Sequence, residues 1–228
     1  MKAMITTVLI DIDNTLLDFD ECAKQSMKKA FEDFGLPMQD NVFEVFTGIN
    51  NFLWKEIEAR RLTKDGLHKV RWQMIFDELG IKESGERFEN SFVSHLFDSH
   101  SPVAGAHGLL EYLSDKYTVC AASNASYEQQ KNRLEKADML KYMTHMFISE
   151  ELGFPKPSKE FFDECFRRLD GISKSRVMLI GDSLSADIDG GHAYGIKTCW
   201  YNHNRQNPAA GAHADYTVNS LDEIKNIL

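Results

Sequence analysis

The 228-residue sequence has few cysteines, no long apolar run and fewer basic than acidic residues. Its four cysteines lie far apart and form no CxxC pair, which argues against a zinc knuckle or a disulfide framework. Such isolated cysteines are typical of small buried side chains in a reducing compartment. No apolar run has the length needed to span a bilayer, so we expect no membrane as a partner.

The amino-terminal segment and the net charge limit location and partners further. Residues 1–10 are too short for a signal sequence and run into Asp11 without a small-residue cleavage site, so we expect a cytoplasmic protein. Lys and Arg number 26 and Asp and Glu 35, a formal net charge of −9. That charge repels polyanions, so we expect no nucleic-acid polymer as a partner. A small anionic ligand would need local cations or a metal.

Six short apolar segments have the composition of strands in a parallel sheet. The predicted strands are residues 7–12, 117–122, 145–149, 176–180, 197–201 and 215–218. Helical patterns lie between them, as in Phe161, Cys165 and Leu169, which are spaced four apart. This alternation predicts an α/β fold with a doubly wound, mostly parallel, Rossmann-like sheet. In such sheets ligands bind beyond the carboxyl ends of the strands.

A long insertion follows the first predicted strand. Residues 14–116 separate the first two strands, whereas a complete strand-helix-strand unit needs only about 30 residues. Apolar positions at helical spacing predict four helices there, around residues 19–34, 42–57, 67–79 and 88–96. We therefore predict an inserted helical cap domain of residues 16–100, with a core domain of residues 1–15 and 101–228. Ser101-Pro102 and two glycines, Gly105 and Gly108, are predicted to form turns at its end.

Polar residues follow the first two predicted strands, where the carboxyl ends of the strands converge. Asp11 and Asp13 lie at the carboxyl end of the first strand. Two carboxylates at this spacing can share a cation, and one can attack a phosphoryl group while the other handles the leaving-group proton. Ser123 and Asn124 follow the second strand with a hydroxyl, an amide and backbone N–H groups that suit a phosphate.

Two further motifs add charge to the same edge of the sheet. Lys156 is flanked by two prolines and is a fixed cation able to neutralise an oxyanion. Asp182 and Asp187 add carboxylates for a hard, oxygen-liganded ion such as Mg²⁺. Each motif by itself is more often a helix cap or a turn than a catalytic group. Their occurrence together at successive strand ends favours an active site.

These motifs resemble, in order, those of the haloacid dehalogenase-like hydrolases. They read DIDNT at 11–15, SN at 123–124, Lys156 before proline and GDSLSAD at 181–187. The resemblance implies that Asp11 is the nucleophile that forms an aspartyl-phosphate and that Asp13 is the general acid that then activates water. A dehalogenase works without this second aspartate and the metal, so Asp13 favours phosphoryl transfer.

The same resemblance implies a ligand set for Mg²⁺ and for the phosphoryl group. The metal would be held by the Asp11 carboxylate, the Asp13 backbone carbonyl and Asp182, with Asp187 supporting the site from nearby. The phosphoryl oxygens would be held by Ser123, Asn124 and Lys156.

The insertion shows a closer resemblance, to the YjjG-type pyrimidine 5'-nucleotidases. It is carried by Asp18-Phe19, Ile49-Asn50, Leu53-Trp54, Arg71 and residues 198–202. It implies a nucleoside monophosphate as substrate and makes Asn50, Trp54 and Arg71 candidates for the substrate side. Residues 60–63, Arg-Arg-Leu-Thr, depart from the family pattern, in which a glycine is usual.

The insertion also concentrates aromatic residues. Ten of the fifteen Phe residues, with Trp54 and Trp72, fall within residues 16–100. They could form a wall on which a base stacks, but periodic aromatic residues more often supply the core of a small helical domain.

Other functions remain open at this stage. The closest alternatives are a sugar-phosphate or phosphoglycolate phosphatase and a phosphomutase, because capped members of the superfamily share the core. An alternative from another class is a regulatory domain that accepts a phosphoryl group. Such receiver domains lack a large insertion after the first strand, which argues against this alternative.

Overall fold

The computed structural model describes residues 4–207 and 213–228 and contains a six-stranded parallel sheet. Its strands are β1 (Thr7–Ile10), β2 (Thr118–Ser123), β3 (His145–Ile148), β4 (Val177–Gly181), β5 (Lys197–Tyr201) and β6 (Tyr216–Val218). Their order in the sheet is β3-β2-β1-β4-β5-β6, and every neighbouring pair is parallel. The predicted α/β fold with a parallel, Rossmann-like sheet is confirmed.

The helices occur mostly between strands. The α-helices of the described residues are α1 (Phe19–Asp33), α2 (Val42–Glu58), α3 (Lys64–Leu79), α4 (Gly85–Asp98), α5 (Ala106–Ser114), α6 (Tyr127–Lys136), α7 (Ser149–Leu152), α8 (Lys159–Arg168) and α9 (Gly190–Tyr194). A π-helical segment, Leu184–Asp189, leads into α9. Short 3₁₀ segments cover Leu140–Tyr142, Lys174–Arg176 and Leu221–Asn226.

The two faces of the sheet pack against different sets of helices. In β1, Val8 and Ile10 belong to a core cluster with residues of α5, whereas Leu9 belongs to a second cluster with residues of α8. This division follows from the strand geometry, in which successive side chains point to opposite faces. A strand that is buried on both faces is apolar at nearly every position. In β1, three of the four buried residues, Val8, Leu9 and Ile10, are apolar.

One predicted turn residue is a helical residue. Gly108 lies inside α5, so its assignment to a turn is wrong. The turn is formed by Ala104 and Gly105, and the φ of Gly105, 86°, is in the left-handed region that favours glycine. The turn predicted at Ser101-Pro102 is also wrong, because Pro102 pairs with Leu17 in an isolated bridge. The helix continues through Gly108 because it buries Leu109, Leu110 and Leu113 against the sheet. Their burial outweighs the helix penalty of about 1 kcal/mol for one glycine.

The first strand is also shorter than predicted. β1 ends at Ile10, although the Asp11 amide still donates to the Ile180 carbonyl at 2.9 Å. Beyond it the Ile12 carbonyl accepts hydrogen bonds from the amides of Leu16 and Leu17, so the backbone turns away from the sheet. The turn itself is residues 14–16, and Asp13 pairs with Leu17 across it in an isolated bridge, close to the end of β1.

The chain divides into two compact units. One combines the segment through Phe19 with the segment from His100, and the other is Asp20–Ser99. In the second unit the Trp72 ring packs against a group of buried phenylalanine rings, the nearest of them Phe88 with a centroid distance of 4.3 Å. The other members of this group are Phe31, Phe46, Phe76 and Phe92. These aromatic residues therefore form the core of the helical unit.

The turn after α2 contains the departure from the family pattern. Arg60 has a φ of 58°, in the left-handed region that favours glycine. Its neighbour Arg61 donates two hydrogen bonds to the Glu56 carboxylate, at 2.7 and 2.6 Å. The turn for which the resemblance implies a glycine is therefore formed here with an arginine.

The four cysteines, Cys22, Cys120, Cys165 and Cys199, are free and fully buried, as predicted. Burial raises the pKa of the Cys120 thiol to about 12, so it is a packing residue. Within residues 4–207 and 213–228 we find no helix long and apolar enough to cross a membrane.

Candidate active site

A buried ion-pair cluster lies where β1, β2 and β4 end. The Lys156 ammonium group donates to Oδ1 of Asp11 at 2.7 Å, to Oδ1 of Asp187 at 2.6 Å and to the Ala122 carbonyl at 2.6 Å. The three charged side chains are each at least nine-tenths buried. All three ammonium protons therefore have protein acceptors, and Lys156 joins residues far apart in sequence.

The loop that carries Lys156 is held by Asn124. The Asn124 amide donates to the Lys156 carbonyl at 2.9 Å and accepts from the Lys156 backbone N–H at 2.8 Å. The following peptide bond, to Pro157, is cis. Just after it, the Ser158 hydroxyl caps the start of α8 by accepting from the Phe161 amide at 3.3 Å. In this structure Asn124 fixes the backbone from which the Lys156 side chain reaches Asp11.

A glycine at the end of β4 allows Asp187 to enter the cluster. A Cβ built on Gly181 would lie 2.2 Å from Oδ2 of Asp187, so a larger residue would displace that carboxylate. The same Oδ2 accepts from the Ser183 amide at 3.1 Å. Next to Gly181, the Asp182 backbone carbonyl accepts from the Trp200 indole at 2.9 Å. The Asp187 carboxylate is thus held by the Ser183 backbone, and the Asp182 backbone is held by the Trp200 side chain.

Three carboxylates of this cluster are close enough to hold one ion. Oxygen atoms of Asp11, Asp182 and Asp187 lie within 4.8 Å of one another. When all three carboxylates are ionised, they and the Lys156 ammonium group leave an excess of two negative charges. Hard oxygen donors with this charge balance fit a divalent cation such as Mg²⁺.

The electrostatics of the cluster reflect burial and crowding of like charges. Burial raises the pKa of Asp11 to about 7, with repulsion from Asp187 adding to the effect and attraction from Lys156 opposing it. Burial, followed by the charges of Asp11 and Asp187, raises the pKa of Asp182 well above its ordinary value. Burial acts to lower the pKa of Lys156, but attraction from Asp11 and Asp187 outweighs it and raises that pKa. Lys156 therefore remains a cation.

Asp13 lies in a second hydrogen-bonded group, with two residues of α6. Its Oδ1 accepts from the Arg133 guanidinium at 2.6 Å and its Oδ2 from the Gln130 amide at 2.6 Å. The same Gln130 nitrogen donates to the Ser123 hydroxyl at 3.0 Å. Gln130 and Arg133 are completely buried, whereas the Asp13 side chain is 30% exposed.

Gln130 and Arg133 belong to none of the predicted site motifs. The α6 sequence, YEQQKNRLEK, is polar almost throughout, and nothing in it distinguishes the buried polar residues from the exposed ones. Their spacing of three places the two side chains on one helix face together with Leu134, but it does not indicate which residue they contact.

The candidate substrate residues of the helical unit fall in two places. Arg71 donates to the Asn50 side chain at 2.9 Å and to Glu89 at 2.5 and 3.2 Å, and all three residues are buried. His68 contacts the same Glu89 carboxylate at 2.7 Å. Trp54 packs instead beside a small apolar cluster formed by Leu53, Ile57 and Leu67. The structure brings Asn50 and Arg71 together, and a role for either in substrate binding stays a prediction.

Comparison with known proteins identifies the family of this chain. Residues 8–201 match the haloacid dehalogenase-like hydrolase family. The chain is 31% identical to the pyrimidine 5'-nucleotidase PynA of Streptococcus pneumoniae over 97% of its length and 96% of that protein. It is 28% identical to the pyrimidine 5'-nucleotidase YjjG of Escherichia coli, with the same coverage. A crystal structure of the HAD-hydrolase YfnB of Bacillus subtilis bound to magnesium has a TM-score of 0.94 and 30% identity, with 99% of each chain covered.

Proposed function

The chain belongs to the haloacid dehalogenase-like hydrolase family, and from this we propose that it is a Mg²⁺-dependent phosphatase of pyrimidine nucleoside 5'-monophosphates. The observation that carries the proposal is the Asp11 carboxylate. It is buried at the end of β1, bonded to Lys156 and within 4.8 Å of two further carboxylates. A carboxylate fixed beside a cation and a metal site is suited to nucleophilic attack on a phosphoryl group.

The metal would be held by the carboxylates of Asp11 and Asp182 and by the Asp13 backbone carbonyl, with Asp187 beside them. The fit is supported by the hard oxygen donors of the cluster and by its excess of negative charge. When bound, Mg²⁺ supplies positive charge that offsets the charge developing on the phosphoryl oxygens. It would also favour the ionised form of Asp11, whose pKa burial raises to about 7.

The proposed reaction has two steps. In the first, an Asp11 oxygen attacks phosphorus, the bond from phosphorus to the nucleoside oxygen breaks, and Asp13 gives that oxygen a proton. In the second, Asp13 accepts a proton from water as the water oxygen attacks the aspartyl-phosphate. The bond from phosphorus to Asp11 then breaks, which releases phosphate and restores both carboxyl groups. Lys156 would hold a phosphoryl oxygen together with Ser123, and Asn124 acts through the Lys156 backbone.

The substrate class rests on the relatives and on the residues of the helical unit. PynA and YjjG are pyrimidine 5'-nucleotidases, and the chain matches both over 97% of its length. We propose a pyrimidine nucleoside monophosphate as the small-molecule partner, with Asn50, Trp54 and Arg71 on the substrate side.

The test is phosphate release from a panel of pyrimidine and purine nucleoside monophosphates, sugar phosphates and phosphoglycolate, with and without Mg²⁺. The proposal expects Mg²⁺-dependent release, fastest from pyrimidine monophosphates, and none from the Asp11→Asn variant. Faster release from a sugar phosphate than from pyrimidine monophosphates would be consistent with the proposed mechanism but would reject the proposed substrate class. Isomerised sugar phosphate without free phosphate would instead indicate a phosphomutase. Stable phosphorylation without turnover would indicate a phosphoryl-accepting domain.

A further inference from the structure

We propose that Arg133 and Gln130 are positioning residues that orient the Asp13 carboxyl group for proton transfer to the leaving group. The inference rests on the proposed function, in which Asp13 is the general acid. Neither residue belongs to the motifs that carry the family resemblance, and both are completely buried on one face of α6.

The geometry leaves the Asp13 side chain little freedom. Each carboxylate oxygen accepts one short hydrogen bond, Oδ1 from Arg133 and Oδ2 from Gln130, both at 2.6 Å. The two donors are themselves linked, because the Arg133 guanidinium donates to Oε1 of Gln130 at 2.9 Å. A carboxylate bound through both oxygens to a rigid pair of donors is fixed in rotation as well as in position. Asp13 is partly exposed and would otherwise sample several rotamers.

Gln130 has a second effect, because it contacts two groups of the proposed site. Its Nε2 has two protons, and one is donated to Asp13 while the other is donated to the Ser123 hydroxyl at 3.0 Å. It therefore sets the distance between the general acid and a group proposed to hold the phosphoryl oxygens. Arg133 donates to the first of these two groups, Asp13. We infer that Gln130 influences phosphate binding as well as proton transfer, and that Arg133 influences proton transfer.

A positioning role and a purely structural role can be distinguished with two substrates, one of which has a leaving group that is stable as an anion. Departure of a nucleoside alkoxide needs a proton from Asp13, whereas 4-nitrophenolate departs with little help. Loss of Asp13 orientation should therefore slow hydrolysis of uridine 5'-monophosphate much more than that of 4-nitrophenyl phosphate. A residue needed only for the fold would slow both equally.

The experiment measures release of the leaving group in single turnovers, with enzyme in excess and Mg²⁺ present. The variants are Arg133→Met, Arg133→Lys and Gln130→Met. The matched controls are Lys131→Met and Gln129→Met, which change neighbouring positions of α6 that are less buried. Thermal unfolding of each variant identifies those that fold.

In Arg133→Met we expect release from uridine 5'-monophosphate to slow on the order of 100-fold, the usual effect of a misplaced reacting group, with a much smaller loss for 4-nitrophenyl phosphate. Arg133→Lys keeps the charge and should recover part of the rate. Gln130→Met should show the same contrast and should also need a higher enzyme concentration to reach half of its maximal single-turnover rate. The controls should match the wild-type protein.

Equal losses on both substrates, or no loss in a folded variant, would overturn the positioning roles and leave the proposed function intact. If Arg133→Met does not fold, Gln130→Met decides by the same comparison. A wild-type protein inactive on both substrates would reject the proposed function and the positioning roles with it. So would wild-type rates in an Asp13→Asn variant.

Discussion

At the scale of single residues, burial of the ionised Asp11 carboxylate costs free energy, and a bound cation would reduce that cost. Burial raises its pKa to about 7, against the attraction of Lys156. Between its ordinary acidic pKa and about 7, the folded protein holds a proton on Asp11 that the unfolded chain has released. In this window the unfolded state binds fewer protons, so the contribution of Asp11 to stability decreases as the pH rises.

This decrease in stability with rising pH gives a prediction for Asp11→Asn in the absence of divalent cations. The variant should be more stable than the wild-type protein at pH 8, because it avoids a buried negative charge, and the advantage should shrink toward pH 5. The free energy of unfolding from urea titrations with a chelator present measures both. Asp138→Asn, an exposed aspartate, is the control and should show no such trend. Parallel pH profiles for Asp11→Asn and the wild-type protein would contradict the prediction.

Local sequence identifies some residues of the candidate site and misses others. Asp11, Ser123 and Asp182 are found from sequence because each follows, or ends, an apolar strand in a recognisable motif. Gln130 and Arg133 are not, because their partner Asp13 lies 117 and 120 positions away along the chain. A polar helix that contains them gives no local sign of such a contact.

At the scale of elements, α3 and α4 approach each other closely where α4 begins. A Cβ built on Gly85 would lie 2.3 Å from the backbone nitrogen of Gln73, so no side chain fits there without separating the two helices. The Gln73 side chain also accepts from the Gly85 amide at 3.2 Å. By contrast, Gly48 lies within α2 with no neighbouring atom within 4 Å of such a Cβ.

These two helical glycines form a matched pair for a stability test. Gly85→Ala should lower the free energy of unfolding by about 1–3 kcal/mol, the usual cost of overpacking. Gly48→Ala should raise it by about 0.5–1 kcal/mol, because alanine restricts the unfolded chain and favours the helix. Urea unfolding of both variants measures the difference. The packing argument fails if the two substitutions change stability in the same direction.

The elements themselves were largely predictable, and their ends were not. The apolar periodicity places α1 to α4 because each helix buries one face. The shortened β1 and the helical Gly108 depend on which hydrogen bonds and contacts compete at the ends of elements. Those competitors come from elsewhere in the fold.

At the scale of the whole molecule, binding of a divalent cation should stabilise the fold. A ligand that binds only the folded state adds free energy with concentration, about 2.7 kcal/mol when it is present at 100 times its dissociation constant. We expect Mg²⁺ to raise the unfolding midpoint of the wild-type protein, and we expect Asp182→Asn to lose most of that increase. Thermal unfolding with Mg²⁺ and with a chelator measures it, with Asp138→Asn as the control. An undiminished increase in Asp182→Asn would argue against a cation at these carboxylates.

The sequence by itself determined the fold class, the family and the residues around which the site is built. These depend on local patterns, namely apolar strands, helical periodicity and polar groups directly after strands. Only the tertiary structure decided that Lys156 joins Asp11 to Asp187, that Gly181 leaves space for Asp187 and that Gln130 and Arg133 hold Asp13. Such contacts form between distant segments when the sheet assembles. Their identity therefore depends on packing across the fold, which no local pattern specifies.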